Sequence, residues 1–170
     1  MPANFTIRLA KLEDRSVLVG LMVALQETER KLHSNRTSGA EMADAHFAYL
    51  ETLVREQRGQ IYVAESPVAE CSSGILGFVV CFVEKLDAGD LHVIESEREY
   101  GYISDLYVMP EMRMHGIGAA LMQTAERHCL ELNLSIVRVG LLASNEPAAK
   151  FYRKAGYQPY EVVYEKRLQE

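Results

Sequence analysis

The stretch "MPEMRMHGIGAALM" (residues 109–122) joins the end of a predicted strand to an apolar helix pattern. Arg113 stands three positions before Gly116, and Gly118 follows after one residue. A glycine-rich turn at a helix start leaves backbone N–H groups without partners, and the helix dipole adds partial positive charge. Glycines let the backbone approach an anion closely. An arginine adds a positively charged guanidinium, which can donate two hydrogen bonds to the anion. The pattern predicts a phosphate site, and the alternative is a plain turn whose glycines only permit packing.

Two well-known phosphate motifs do not fit this turn. The dinucleotide fingerprint GxGxxG fails because Leu121 occupies the place of its third glycine. The P-loop fails because no Gly-Lys-Ser/Thr triplet is present. A phosphate at this turn would therefore belong to another class of ligand.

Hydrophobic periodicity predicts ten elements in the order β-α-α-β-β-β-α-β-α-β. The predicted strands are 5–10, 59–66, 75–85, 100–110, 135–144 and 160–168, with a hairpin turn at 68–74. The predicted helices are 13–30, 40–57, 116–132 and a short one that Asn145 caps and Gly156 ends. A meander followed by βαβ-type crossings predicts a mixed sheet with helices on both faces.

The composition is that of a globular protein and excludes several functions. The 170 residues predict one domain over 1–170, of which 48% are hydrophobic and 25% charged. A net charge of −6 argues against nucleic acid as a partner, and no apolar run is long enough for a membrane helix. The N-terminus does not resemble a signal peptide, so we expect a cytoplasmic protein. Neither the three cysteines nor the five histidines have metal-ligand spacing, so we expect no metal.

Two motifs resemble the GNAT superfamily of N-acetyltransferases. The segment "YISDLYVMPEMRMHGIGAALM" (102–122) resembles its acetyl-CoA motif, Arg/Gln-x-x-Gly-x-Gly/Ala, at Arg113, Gly116 and Gly118. The segment "NEPAAKFYRKAGY" (145–157) resembles its second motif, an Asn-led helix with a Phe-Tyr pair and a Gly-aromatic end. The element order matches over nearly the whole chain. The resemblance implies an α/β fold of the α+β type, with a mixed, mostly antiparallel sheet of six to seven strands flanked by about four helices.

The resemblance also implies acetyl-CoA as cosubstrate and assigns its contacts. Backbone amides of the turn would bind the pyrophosphate, Arg113 would assist, and the preceding strand would pair with the pantetheine arm. Asn145 and Tyr152 would lie along the thiol end. The implied residues are Leu106, Tyr107, Val108, Arg113, Met114, His115, Gly116, Ile117, Gly118, Ala119, Asn145 and Tyr152.

Two residues are candidate catalytic groups. A phenol hydroxyl at Tyr152 could protonate the departing thiolate, although Tyr152 could also be a core aromatic beside Phe151. Asp105 interrupts an apolar strand, where a carboxylate is costly without partners. It could deprotonate the incoming amine, or it could be a structural carboxylate that binds nearby amides.

The segment from Tyr102 to Gly156 resembles polyamine and aminoglycoside acetyltransferases. That resemblance implies as acceptor a primary amine on a small molecule, which would attack the thioester directly in a ternary complex. The alternatives are a protein or peptide amine as acceptor and a non-catalytic sensor that binds acyl-CoA. Acidic residues could line the entrance for a cation or form a solvated surface; they are Glu27, Glu29, Asp87, Asp90, Glu95, Glu97 and Glu99. The last predicted strand would form a sheet edge, and we expect a homodimer that uses it.

Overall fold

The computed structural model describes residues 4–67 and 74–168 of the chain. The chain divides into two compact units, here named the sheet unit (residues 1–140) and the C-terminal unit (residues 141–170). No helix within the described ranges is long and apolar enough to cross a lipid bilayer.

Within residues 4–67 and 74–140, the sheet unit contains five strands and three α-helices. Its strands are β1 (Thr6–Leu9), β2 (Gln60–Glu65), β3 (Ile75–Lys85), β4 (Glu99–Val108) and β5 (Val137–Val139). Its helices are α1 (Arg15–Arg30), α2 (Gly39–Glu56) and α3 (Ile117–Glu131), with short 3-10 helices at Leu12–Asp14, Glu95–Glu97 and Pro110–Met112. The C-terminal unit contains α4 (Glu146–Lys154).

The five strands form one sheet in the order β1-β2-β3-β4-β5. Neighbouring strands are antiparallel except for β4 and β5, which run parallel. Residues 75–83 of the central strand β3 are all buried, as expected for an apolar strand that is covered on both faces. Strand β3 therefore forms the middle of the hydrophobic core and holds β4 in place.

Helices cover both faces of the sheet. Phe82 belongs to the core on the α1/α2 face, where it joins Phe47 and Phe78, whereas its neighbour Val83 packs with Cys129 of α3. Consecutive strand residues point to opposite faces, so α3 covers the second face. A Cβ added to Gly101 would overlap the Cys129 sulfur, so a glycine is needed where α3 meets β4.

The C-terminal unit is built around one capped helix. The Asn145 side chain accepts a hydrogen bond from the Ala148 amide at 3.2 Å, and Pro147 lies in the first turn. Gly156 follows the helix with a φ of +94°, a conformation that glycine adopts readily. Residues 157–168 belong to no helix or strand.

The sequence prediction is correct for all four helices but wrong for the last strand. The sheet has five strands, so the predicted six to seven are not confirmed. Residues 160–168 form no strand: a strand needs a neighbour for its backbone groups, and the described C-terminal unit contains none. The predicted strand 135–144 is reduced to β5, and the predicted hairpin turn at 68–74 falls mainly on residues 68–73, outside the described ranges.

An ion cluster joins β1, β2 and the start of α1. The Arg8 guanidinium donates to Asp14 at 2.7 Å and to Glu65 at 2.8 Å, and the Lys11 amide donates to Asp14 at 2.7 Å. The Asp14 side chain is only 7% exposed. The hydrogen bond from Arg8 holds the pKa of Asp14 below its ordinary value, against the opposing effect of burial.

We predict that Asp14→Asn lowers the free energy of unfolding by about 1 to 2 kcal/mol at pH 7, because it removes one charge from a largely buried pair. The folded-state pKa of Asp14 lies below its unfolded value. Its stabilisation is therefore present above about pH 4 and is lost as the pH falls through the folded pKa. Denaturant unfolding at pH 7 and at lower pH measures both effects.

Asp44→Asn is the matched control for this experiment. Asp44 pairs with Arg15 at the same 2.7 Å, but its side chain is 76% exposed. Exposed ion pairs contribute little, so the loss should be much smaller than at Asp14. Equal losses for the two variants, or a loss at Asp14 that does not shrink at low pH, would contradict the assignment.

Candidate active site

The second half of β4 has one edge that no strand of the sheet pairs with. Strand β4 pairs with β5 only over Gly101–Ile103. Its antiparallel pairing with β3 continues, and the Met109 amide still donates to the Leu76 carbonyl at 2.9 Å. Because hydrogen-bonded pairs alternate along such a ladder, the backbone groups of Leu106 and Val108 point away from β3.

A β-bulge at Ser104 sets the direction of the Asp105 side chain. Val80 pairs with Asp105 and Cys81 pairs with Ile103, so Ser104 is the extra residue on β4. An extra residue reverses the alternation of the side chains that follow it. Asp105 is therefore opposite Val80, which belongs to the core on the α1/α2 face.

Asp105 is a buried carboxylate with an unsatisfied oxygen. Its side chain is 10% exposed, and its Oδ2 atom has no hydrogen-bond partner among the described residues. Burial raises the pKa of Asp105 above its ordinary value, while the adjacent Ser104 and the charge of a protonated His46 oppose that rise. A carboxyl in this state can accept a proton more readily than an exposed one.

The turn between β4 and α3 exposes a row of backbone amides. Met114 and Gly116 both have left-handed conformations, with φ values of 64° and 84°. Helix α3 begins at Ile117, and its first intrahelical bond runs from the Ala120 amide to the Gly116 carbonyl at 3.0 Å. The amides of residues 114–119 have no acceptor within the described ranges. Such a concave row at a helix N-terminus fits an anion.

Arg113 and His115 shape this turn. The Arg113 Nε atom donates to the Val108 carbonyl at 3.0 Å, and its guanidinium lies 5.7 Å from the centre of the Tyr107 ring. These contacts hold the arginine between the end of β4 and the exposed amides. The His115 Nδ1 atom lies 2.7 Å from the Arg113 carbonyl. A carbonyl can only accept, so Nδ1–H is the donor, and His115 acts as a turn residue.

Asn145 and Tyr152 lie in the C-terminal unit. The Asn145 Oδ1 atom caps α4, as the sequence predicts for that position. The half-buried Tyr152 ring lies 5.3 Å from the Phe151 ring and 6.0 Å from the Tyr157 ring, centre to centre. The Tyr157 amide donates to the Tyr152 carbonyl at 2.9 Å. Within the described ranges, no group of three or more His, Cys, Asp or Glu residues could hold a metal ion.

Comparison with known proteins identifies the family. The model of the acetyltransferase (GNAT) family matches residues 12–157. The chain belongs to this family. The GNAT match contains the whole strand, turn and helix that carry Asp105 and the exposed amides, and it extends into the C-terminal unit as far as Tyr157.

Individual relatives agree with the family assignment. An uncharacterized N-acetyltransferase of Archaeoglobus fulgidus is 35% identical over 85 residues, which are 50% of this chain and 54% of that protein. An N-alpha-acetyltransferase of Sulfurisphaera tokodaii is 27% identical over 103 residues, 60% of this chain and 61% of that protein. The chain thus covers less than two thirds of either relative.

A solved structure shares the fold over nearly the whole chain. It is that of AAC(6')-Iy in complex with the bisubstrate analog CoA-S-monomethyl-acetylneamine. It is similar with a TM-score of 0.67 and 15% identity over 98% of this chain and 99% of the other. At this identity, the likeness supports the fold of this GNAT protein and no finer statement.

Sequence reasoning missed one polar neighbour of the site. His46 of α2 has its Nε2 atom 3.9 Å from Asp105 Oδ1. The available signal is its position in α2, because His46 follows the buried Ala43 by three residues and precedes the buried Leu50 by four. That spacing places it beside the buried stripe, but nothing in the sequence pairs it with β4.

We predict that Gly118→Asp weakens acetyl-CoA binding by about tenfold or more, because the new carboxylate would repel an anion at the amide row. Acetyl-CoA should raise the melting temperature of the wild-type protein, since a ligand that binds only the folded state stabilises it. The variant should lose most of this increase. Thermal unfolding with and without acetyl-CoA measures both.

Gly20→Asp is the control for the added charge. Gly20 is an exposed glycine of α1, and a Cβ at this position would meet nothing within 4 Å. The control should show the wild-type increase in melting temperature. A folded Gly118→Asp protein that binds acetyl-CoA as the wild type does would refute the assignment of the turn.

Proposed function

We propose that this GNAT protein is an N-acetyltransferase that moves the acetyl group of acetyl-CoA directly to a primary amine in a ternary complex. The observation that carries the proposal is the juxtaposition, on one strand–turn–helix segment, of the amide row at residues 114–119 and the buried carboxylate of Asp105. The family match and the names of the relatives support the same reaction.

Successive groups along the strand–turn–helix segment would contact successive parts of acetyl-CoA. The amides of residues 114–119 and the guanidinium of Arg113 would bind the pyrophosphate. The outward backbone groups of Leu106 and Val108 would pair with the pantetheine arm, while Tyr107 supports Arg113 from the core side. Acetyl-CoA would supply a thioester carbonyl that an amine can attack.

Two side chains would move protons. Asp105 would take a proton from the acceptor's ammonium group, which leaves an electron pair on nitrogen for the attack. Tyr152 would donate its phenol proton to the departing sulfur, where negative charge develops. No enzyme nucleophile is required, and the described cysteines, Cys81 and Cys129, are buried free thiols.

We place the acceptor among small amines, as polyamines and aminoglycosides are. The bisubstrate analog bound by AAC(6')-Iy, CoA-S-monomethyl-acetylneamine, is an example of such an amine on a protein of the same fold. The net charge of −6 is compatible with a cationic acceptor. The buried free thiols are typical of a reducing compartment and support a cytoplasmic location.

A protein amine is the second candidate acceptor. The relative from Sulfurisphaera tokodaii is named an N-alpha-acetyltransferase, and it is the observation that favours this candidate. The third candidate is a sensor that binds acyl-CoA without transferring the acyl group.

A panel of acceptors with acetyl-CoA, read as thiol release, separates these functions. The panel contains polyamines, aminoglycosides, amino-terminal peptides and lysine peptides. We expect turnover with a small amine. Turnover with peptides alone would indicate that the acceptor is a protein amine. Binding of acetyl-CoA without turnover on any amine would leave a sensor.

We predict that Tyr152→Phe lowers kcat by about 10²-fold, the scale of one general acid, while the affinity for acetyl-CoA changes little. Phenylalanine keeps the ring and its contacts with Phe151 and Tyr157, so packing is retained. Steady-state kinetics with an acceptor for which chemistry limits the rate provides the measurement.

Tyr157→Phe is the matched control, because it removes a hydroxyl from the neighbouring ring of the same unit. It should keep a kcat close to that of the wild type. If Tyr152→Phe also keeps the wild-type kcat, Tyr152 has no role as the acid.

We also propose a homodimer that uses the segment 160–168. Val163 and Tyr164 are 85% and 92% exposed, and exposed apolar side chains of this size favour association. A segment that belongs to no strand in one copy can add to a sheet edge of another copy.

We predict that removal of residues 160–170 converts a dimer to a monomer at micromolar concentration, as measured by light scattering. The melting temperature of the truncated protein and its circular dichroism show whether it remains folded. A full-length protein that is already a monomer at this concentration would rule out the dimer.

A further inference from the structure

His46 and Asp105 come together from two different elements on the α1/α2 face of the sheet. His46 lies on α2, Asp105 lies on β4, and Nε2 and Oδ1 are 3.9 Å apart. The imidazole is 34% exposed and the carboxylate 10% exposed. The imidazole is therefore accessible to solvent, whereas the carboxylate beside it is nearly buried.

The 3.9 Å between Nε2 and Oδ1 is long enough for both atoms to bind one third polar atom. It exceeds the roughly 2.7–3.2 Å of a direct hydrogen bond. A nitrogen about 2.9 Å from both atoms would subtend an angle of about 85°, which the N–H directions of an ammonium group can approach with slightly bent bonds. Both groups can thus bind the same donor at once.

The Asp105 carboxylate gives a second and separate observation at its other oxygen. Its Oδ2 atom is buried and has no hydrogen-bond partner among the described residues. A buried carboxylate oxygen without a partner is costly, and such groups are uncommon unless a ligand, ion or water satisfies them.

We propose that His46 and Asp105 together bind the primary ammonium group of the acceptor, with the neutral imidazole and the carboxylate each accepting one N–H. This inference rests on the proposed function and assigns the acceptor to the α1/α2 face of β4. Asp105 then takes one proton: an N–H bond breaks, an O–H bond forms on the carboxyl, and the electron pair stays on nitrogen.

The other titratable groups near the pair are phenols and one carboxylate of β3. The Tyr49 ring of α2 lies 6.3 Å from the His46 ring. Burial raises the pKa of Tyr102 of β4, and so do the charges of Glu84 of β3 and of Asp105. A phenol with a raised pKa stays neutral between pH 5 and 8, so Tyr102 adds no charge beside the pair in that range.

The charged groups of α1 have their own partners. Arg15 binds Asp44 and Glu51 of α2, and Glu27 accepts a hydrogen bond from the Gly39 amide at 2.7 Å. These charged groups therefore have partners of their own, and His46 is the ionisable side chain that lies next to Asp105.

Kinetics of His46 variants test the binding role. His46→Ala should raise the KM of the acceptor about tenfold, the size of one hydrogen bond to a charged group, and leave the KM of acetyl-CoA within about twofold. His46→Gln keeps an acceptor oxygen on a side chain of similar reach and should recover part of the loss. A KM for acetyl-CoA that changes as much as that of the acceptor would contradict the assignment.

The pH dependence separates binding from a merely structural role. A protonated imidazole cannot accept an N–H and repels an ammonium group. The acceptor KM of the wild type should therefore rise as the pH falls through the imidazole titration. The rise should be smaller in His46→Gln, where only Asp105 can still lose its charge at the site. A rise that persists unchanged in His46→Gln would overturn the proposal.

His92→Gln is the matched control. His92 lies 3.9 Å from Asp90, the same separation, but its side chain is 74% exposed. This variant should keep the acceptor KM of the wild type and its dependence on pH.

A measurement without turnover keeps this inference separate from the proposed reaction. Carboxyl ¹³C NMR follows the titration of Asp105 in the protein without ligands. The pKa of Asp105 should rise in His46→Gln, because the charge of a protonated His46 lowers it, and should stay unchanged in His92→Gln. An unchanged Asp105 titration in His46→Gln refutes the pair. A shift without turnover on any amine supports the pair and refutes the proposed function.

Discussion

Strand β4 is paired with β3 along its length but with β5 only at Gly101–Ile103. The candidate site depends on this difference between the two edges of β4. The apolar β3 strand, buried on both faces, fixes the position of β4 within the core. Beyond Ile103, none of the described strands pairs with the far edge of β4. Its backbone groups can then serve a ligand, while the β3 ladder keeps the strand rigid. A strand paired fully on both edges could not do both.

One extra residue in β4 decides on which face of the sheet the Asp105 carboxylate lies. Tyr102 packs on the α1/α2 core before the bulge, and Tyr107 does so after it. In a regular strand, residues 102 and 107 would lie on opposite faces. The extra residue, Ser104, brings Asp105 to the face of Tyr102 and Tyr107, opposite α2. Without it, the carboxylate would point toward α3, whose Leu121 and Ala125 are fully buried and apolar.

The features that the sequence predicted are local, and those that it missed depend on distant partners. The helix start after Gly116 and the Asn145 cap follow from turn and cap chemistry within a few residues. The strand over 160–168 was predicted from alternation alone, but a strand also needs a neighbour, which the described C-terminal unit does not provide. His46 was missed because the bulge and the packing of α2 on the sheet bring it to Asp105. Neither effect leaves a pattern in the sequence.

Two aspartates of this chain are buried to a similar degree but differ in their hydrogen-bond partners. Asp14 and Asp105 have side chains that are 7% and 10% exposed. Arg8 and a backbone amide satisfy Asp14, so its pKa is lowered and its charge stabilises the fold. Within the described part of the chain, one oxygen of Asp105 has no hydrogen-bond partner, and burial raises the pKa of the carboxyl. The contacts of the described residues do not offset the free-energy cost of burying the Asp105 carboxylate. A carboxylate in such surroundings is better suited to binding a ligand than to stabilising the core.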